Sequence, residues 1–198
     1  IAVFGPDAPK HAPQVGPLNP TTMYGKTTVT GERLAMNYWK QYGVDVRGIR
    51  YPGLISYKAP AGGGTTDYAV DIFHAALENG HYDCFVRADT RLPMMYMEDA
   101  IRATIALMDA PVESIGDSRG GYNLSGCSFT AAEIADAVAA RVPGFTCDFK
   151  PDVRQEYADS WPDSVDDSAA QQDWGWNAEY DLDALCDAMI SGLQSSSI

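Results

Sequence analysis

Short apolar runs alternate with longer stretches of helical period along this chain, and that alternation admits one class of fold, α/β. Residues 1–4 are apolar, end at Gly5-Pro6 and read as the last part of a strand. After a loop rich in proline and glycine (residues 7–20), Thr21 or Thr22 caps a helix running to Tyr42, which Gly43 ends. Residues 44–51 alternate as a strand that Pro52-Gly53 stops. The run from Pro60 to Gly64 is a flexible loop, and Thr65 or Thr66 caps a helix over residues 67–77 whose buried stripe is Val70, Phe73 and Leu77. Cys84 to Val86 is a short strand. Residues 98–108 form a helix expected to turn Ile101, Ile105 and Met108 inward. Residues 122–126 are another strand. Thr130 and Glu133 make a capping box for a helix that ends at Pro143-Gly144. The last helix starts near Asp181 and buries Leu182, Leu185, Met189 and Leu193, with a tail expected to fray from Ser195.

Composition narrows the function classes. The 198 residues are 45% hydrophobic, enough for a sizeable core. A net charge of -13 repels phosphate backbones, so no nucleic-acid partner is expected. No apolar run is long enough to cross a bilayer and no signal-peptide pattern is visible, so no membrane partner is expected either. The chain opens at Ile1 rather than Met, the mark expected of a processed, truncated or excerpted sequence. Cys84, Cys127, Cys147 and Cys186 lack paired spacing and read as reduced, mostly buried thiols of an intracellular protein. His74, His81 and Cys84 have no fixed ligand geometry, and no metal is expected.

A dinucleotide-binding fold that stands alone needs an early strand, a glycine-rich turn and a helix whose N-terminus meets the pyrophosphate. Neither G-x-G-x-x-G nor G-x-x-G-x-x-G occurs in this sequence, and Gly62-Gly63-Gly64 has no strand at the right spacing before it.

Three segments carry a family resemblance. They are Pro20-Thr21-Thr22-Met23-Tyr24-Gly25 through Gly31-Glu32, Tyr42-Gly43-Val44-Asp45-Val46-Arg47 into Arg50-Tyr51-Pro52-Gly53-Leu54-Ile55-Ser56, and Gly62-Gly63-Gly64-Thr65-Thr66-Asp67-Tyr68-Ala69-Val70. Leu92 to Met97, Ala158-Asp159-Ser160-Trp161-Pro162 and Asp173-Trp174-Gly175-Trp176 add to it. The whole chain resembles the C-terminal portion of an NAD-dependent L-threonine 3-dehydrogenase of the extended short-chain dehydrogenase/reductase (UDP-galactose 4-epimerase-like) family.

The resemblance implies the second half of a Rossmann-like doubly wound sheet plus a small α/β substrate-binding region. Residues 1–56 would complete the dinucleotide-binding domain, whose first half is absent, and residues 57–198 would be mainly the substrate-binding region. It also implies NAD as cofactor and oxidation of L-threonine to 2-amino-3-oxobutanoate, with Tyr24 as general base. A phenol of pKa about 10 is a poor base near neutrality, so the family sets a lysine four residues later on the same helix face. Here that position is Thr28, while Lys26 lies about 200° around the helix from Tyr24. A slower proton abstraction and weaker cofactor binding are the expected consequences.

Tyr24, Thr28, Tyr51, Pro52 and Leu54 are the implied cofactor-binding residues. Tyr24, Gly64, Thr65 and Thr66 are the implied substrate-binding residues, the loop turning hydroxyls and amides toward the substrate carboxylate. Plainer roles stand beside these: a packing tyrosine, a helix cap at Thr65 or Thr66, a strand exit at Pro52 and Leu54. Met94, Met95, Tyr96 and Met97 read as a packed strand end, and Trp161, Trp174 and Trp176 as core anchors. Asp163, Asp166 and Asp167 read as a solvated helix start rather than a metal cluster.

Two alternatives remain open. One is a nucleotide-sugar epimerase or dehydratase of the same superfamily, disfavoured because the half after Tyr96 has few Lys or Arg and only Arg154 sits in a plausible place for a diphosphate. The other is a non-catalytic dimerisation or interaction module. A homodimer through the Tyr24 helix is expected, in the cytoplasm, or in the mitochondrial matrix for an animal protein.

Overall fold

The computed structural model describes residues 1–196. In chain order its elements are β1 (His11–Ala12), α1 (Met23–Tyr42), β2 (Ile49–Arg50), β3 (Gly53–Ile55), α2 (Tyr68–Glu78), β4 (His81–Cys84), β5 (Arg91–Tyr96) and α3 (Met97–Asp109). A 3-10 turn (Asp117–Gly120) follows, then β6 (Tyr122–Asn123), β7 (Cys127–Thr130), α4 (Ala131–Ala139), β8 (Thr146–Phe149), α5 (Arg154–Asp159), β9 (Ser164–Val165), α6 (Ser168–Trp174) and α7 (Leu182–Ser196). The class is α/β, as the alternation requires.

The strands pair as β1–β9, β2–β6 and β4–β8, all parallel, and as a mixed sheet β3–β5–β7. Within it β3 and β5 are parallel and β5 and β7 antiparallel. Leu92 to Tyr96 of β5 are all buried, which is why this strand reads as a continuous apolar run rather than an alternation. The largest core lies between this sheet and α2, α4 and α7, with Phe73, Phe129, Ile134, Leu185 and Met189 at its centre. A second packs α3 on Tyr122, Leu124 and Trp176, and a third gathers Val3, Phe4, Ala12, Val29 and Val165 around α1.

Local signals located the helix ends well. Thr22 caps α1 by accepting the Gly25 N–H at 3.0 Å, and Gly43 closes it in the left-handed conformation at φ 68°. The Thr130–Glu133 capping box forms with both its hydrogen bonds. Asp166 accepts the Ser168 N–H at the start of α6, and Asp167 accepts those of Ser125 and Trp176.

Several expectations are corrected. Residues 1–4 are not a strand: the Phe4 N–H turns back to the Ile1 carbonyl. The strand over 44–51 contracts to β2, because only Ile49 and Arg50 face a partner, β6. Pro52-Gly53 interrupts the extended chain without ending it, and Gly53 opens β3. Neither Thr65 nor Thr66 caps α2. Asp67 holds that turn, its Oδ2 accepting the Gly63 and Gly64 N–H groups at 2.7 Å each. The strand near Cys84 lies earlier, at His81–Cys84, and the one near Tyr122 ends at Asn123. The capping-box helix stops at Ala139, not at Pro143. Helix α7 runs through Ser195 in regular form, and residues 197–198 lie outside the described ones.

Helix α3 presents a different face from the one expected. Ile101, Ile105 and Met108 are exposed, while Asp99, Ala100, Ala103 and Leu107 are buried. The buried Asp99 carboxylate accepts the N–H groups of Glu179 and Tyr180 and the Arg102 guanidinium, which sets the rotation of the helix. Alanines on the inner face then allow close approach to the sheet.

Candidate active site

Helix α1 begins against the first residues of the chain because position 25 is glycine. A Cβ there would collide with the Ala2 carbonyl and the Pro20 ring. This contact brings Tyr24, on the first turn, to the open side of the helix, 73% exposed. Thr28 lies one turn further on, and its hydroxyl donates to the Tyr24 carbonyl at 2.9 Å. Lys26 points into solvent.

Between this first turn and the β2–β3 strand exit lies a cavity of about 320 Å³. Tyr24, Thr28, Tyr51, Pro52, Leu54 and Thr66 all line it. Ile49, Arg50, Gly53, Trp161 and residues 1–3 complete its wall. Six of the eight positions singled out in the sequence therefore converge on one cavity. Gly64 and Thr65 stand outside that lining, and the Gly64 amide, expected to face a substrate carboxylate, is taken by Asp67.

The strand exit is fixed from both sides. The Ile1 nitrogen donates to the Tyr51 carbonyl at 2.6 Å, and the Tyr51 hydroxyl is hydrogen-bonded to Thr104 Oγ1 of α3. Tyr51 thus offers the cavity its ring, with its hydroxyl already engaged. Gly53 lets Thr66 reach β3, since a Cβ at position 53 would strike Met94 and Thr66.

Arg50 joins the pieces. Its guanidinium meets both Glu32 carboxylate oxygens, the Gln14 carbonyl and Asn123 Oδ1, linking α1, the loop before it, β2 and β6. Sequence reasoning missed this residue and Trp161. Trp161 was read as a core anchor; it packs on the main core and also forms part of the cavity wall. No local signal distinguishes the two roles, because the wall is made by segments a hundred residues apart. Trp176 is buried as expected, its indole N–H bonded to Ser125 and Asp167. Arg154 lies over the Phe85 ring at 3.2 Å, bonds Asp152, and is not part of the cavity.

Among the described residues no helix is long and apolar enough to cross a membrane. The profile of the NAD dependent epimerase/dehydratase family matches residues 1–125. The chain is 46% identical over 193 residues to the mitochondrial L-threonine 3-dehydrogenase of Bos taurus, an alignment covering 96% of this chain and 51% of the bovine one. It superposes with a TM-score of 0.94 on a GalE-like L-threonine dehydrogenase from Cupriavidus necator, at 54% identity over 97% of this chain and 69% of that one. A monomeric L-threonine 3-dehydrogenase from a metagenome database gives a TM-score of 0.95 at 52% identity, over 100% of this chain and 64% of that one. The chain spans about half the length of the bovine relative. By profile, identity and fold, the chain belongs to the NAD dependent epimerase/dehydratase family.

Proposed function

We propose that this chain is the substrate-facing part of an NAD-dependent L-threonine 3-dehydrogenase, oxidising the threonine hydroxyl to give 2-amino-3-oxobutanoate. The observation that carries this reading is the convergence of Tyr24, Thr28, Tyr51, Pro52, Leu54 and Thr66 on one cavity. Its volume, about 320 Å³, lies at the lower end for small-molecule sites and suits a small zwitterion. The similar proteins described as L-threonine dehydrogenases support the choice of substrate.

In this reading residues 1–56 face the cofactor and residues 57–198 mainly the substrate. NAD, when bound, supplies the hydride acceptor. Tyr51, Pro52 and Leu54 would hold its nicotinamide end, and Tyr24 and Thr28 the ribose beside it. The pyrophosphate would need a glycine-rich turn that this sequence lacks. Tyr24 takes the hydroxyl proton of threonine. Thr28 sets no ammonium beside it, and its own proton is donated to the Tyr24 carbonyl. Thr66 reaches the cavity, while Gly64 and Thr65 act on the substrate through the position of their loop. A nucleotide-sugar substrate is disfavoured because Arg154 is tied to Asp152 and Phe85.

Association through α1 belongs to the same proposal. Leu34, Tyr38 and Tyr42 form an exposed stripe on it at a spacing of four residues. Gel filtration of Tyr38→Asp should show a shift from dimer to monomer, and a monomeric parent chain would end this part of the proposal. The expected compartment is the cytosol, or the mitochondrial matrix, the bovine relative being named mitochondrial.

The deciding experiment is NADH formation by the purified chain with L-threonine and NAD. Threonine-dependent NADH, lost in Tyr24→Phe, supports the reading. A folded sample without activity, alone or mixed with the nucleotide-binding half of a relative, defeats it.

A further inference from the structure

We propose that the exposed face of the β4–β8 ladder is a zinc site formed by His81, Asp83 and Asp148. No local pattern joins these residues, since β4 and β8 lie more than sixty positions apart. The parallel register sets His81 opposite Thr146 and Asp83 opposite Asp148. Residues two apart on a strand share a face, so two neighbouring rungs of the ladder bring all three side chains to one point. Their ligating atoms lie within 4.8 Å of one another. His74 and Cys84, the partners considered for His81 in the sequence, are not in the group.

The spacing suits a small tetrahedral ion. Bonds of about 2.0–2.1 Å to zinc place neighbouring ligand atoms about 3.3 Å apart. His81 Nε2 is 3.0 Å from Asp83 Oδ1, a hydrogen bond that zinc would replace, and 3.9 Å from Asp148 Oδ2, values on either side of that edge. The other imidazole nitrogen, Nδ1, is hydrogen-bonded to Thr146 Oγ1 at 2.8 Å. Such a contact on the remote nitrogen is what orients a metal-ligating histidine and selects its tautomer. The three side chains are about half exposed, leaving a fourth position open to water.

Lys150 competes for the same carboxylates. Its Nζ is 2.8 Å from Asp83 and 4.0 Å from Asp148. In the metal-free chain the ammonium offsets one of the two negative charges, and an arriving cation must displace it. The lysine therefore tunes affinity downward, a role opposite in sign to that of His81 and Thr146.

The test is calorimetric titration of the full chain with Zn²⁺ at neutral pH, repeated with Co²⁺ to read its d–d absorption. The expected result is one-to-one binding with a four-coordinate cobalt spectrum, and a higher melting temperature in zinc. His81→Ala should abolish binding, Thr146→Val should weaken it about tenfold, and Lys150→Ala should tighten it. These side chains are on the surface, and the melting curve of each metal-free variant shows that it is folded. Absence of one-to-one binding by the parent chain, or parent-like affinity in any of the three variants, overturns the assignment.

Discussion

The Arg50 guanidinium faces the Glu32 carboxylate squarely, Nε to Oε1 at 2.8 Å and Nη2 to Oε2 at 2.7 Å, and this pair ties α1 to β2 beside the Tyr24 cavity. Both side chains are largely buried, 9% and 14% exposed. Removing one partner would leave the other charge without compensation in a poorly solvated place. Glu32→Ala is expected to cost about 3 kcal/mol in urea unfolding, whereas Glu32→Gln, which keeps one acceptor, should cost less. A loss in Glu32→Ala with none in Glu32→Gln would show that the pair contributes only packing.

On the proposed function, Thr28 is the position at which proton abstraction by Tyr24 can be tuned. Thr28→Lys places an ammonium one turn from Tyr24, where it favours the phenolate. In a threonine-dependent NADH assay it should raise kcat by about a hundredfold, the lower end for a well-placed general base. The rate should also reach its plateau at lower pH than in the parent chain. An unchanged pH profile would show that the helix does not present position 28 to the phenol.

Buried Asp99 holds α3 to the segment before α7. Its carboxylate takes two backbone N–H groups, from Glu179 and Tyr180, and a guanidinium N–H from Arg102. Asp99→Ala leaves the two backbone N–H groups without an acceptor and should destabilise the fold by about 3 kcal/mol. Native-state hydrogen exchange should show the protection of the Glu179 and Tyr180 amides falling first. Stability within about 0.5 kcal/mol of the parent, the range of ordinary surface changes, would contradict the structure at this point.

The four thiols are held in the unreactive form. Burial pushes Cys84 and Cys147 up to about 11, and Cys127 and Cys186 up to about 12, from an ordinary value near 9. A raised acid pKa in the folded state stabilises the fold below the unfolded value, and that contribution is lost as pH rises through the folded one. Stability should therefore fall between about pH 9 and pH 12. At pH 8 a disulfide reagent should label the native chain slowly and all four cysteines quickly after unfolding. Fast native labelling of Cys84 or Cys186, both buried, would disprove this.

Much of this molecule is readable from local chemistry. The caps at Thr22 and Gly43, the Thr130–Glu133 box and the α/β alternation depend on residues a few positions apart, so the sequence alone determined them. The same holds for the family resemblance and for the replacement of lysine by Thr28, which are patterns along the chain. Strand limits were not readable, because a strand exists only where a partner meets it. Residues 44–47 and 49–50 have similar character, yet only the latter face β6. The inner face of α3 was misread for a related reason: Asp99 finds its partners 80 residues away, and that contact outweighs the apolar pull of Ile101, Ile105 and Met108. Tertiary structure alone decided that Trp161 and Arg50 join the Tyr24 cavity and that His81 meets Asp148. Each of these needs a long loop closed and a register set, and local propensity determines neither.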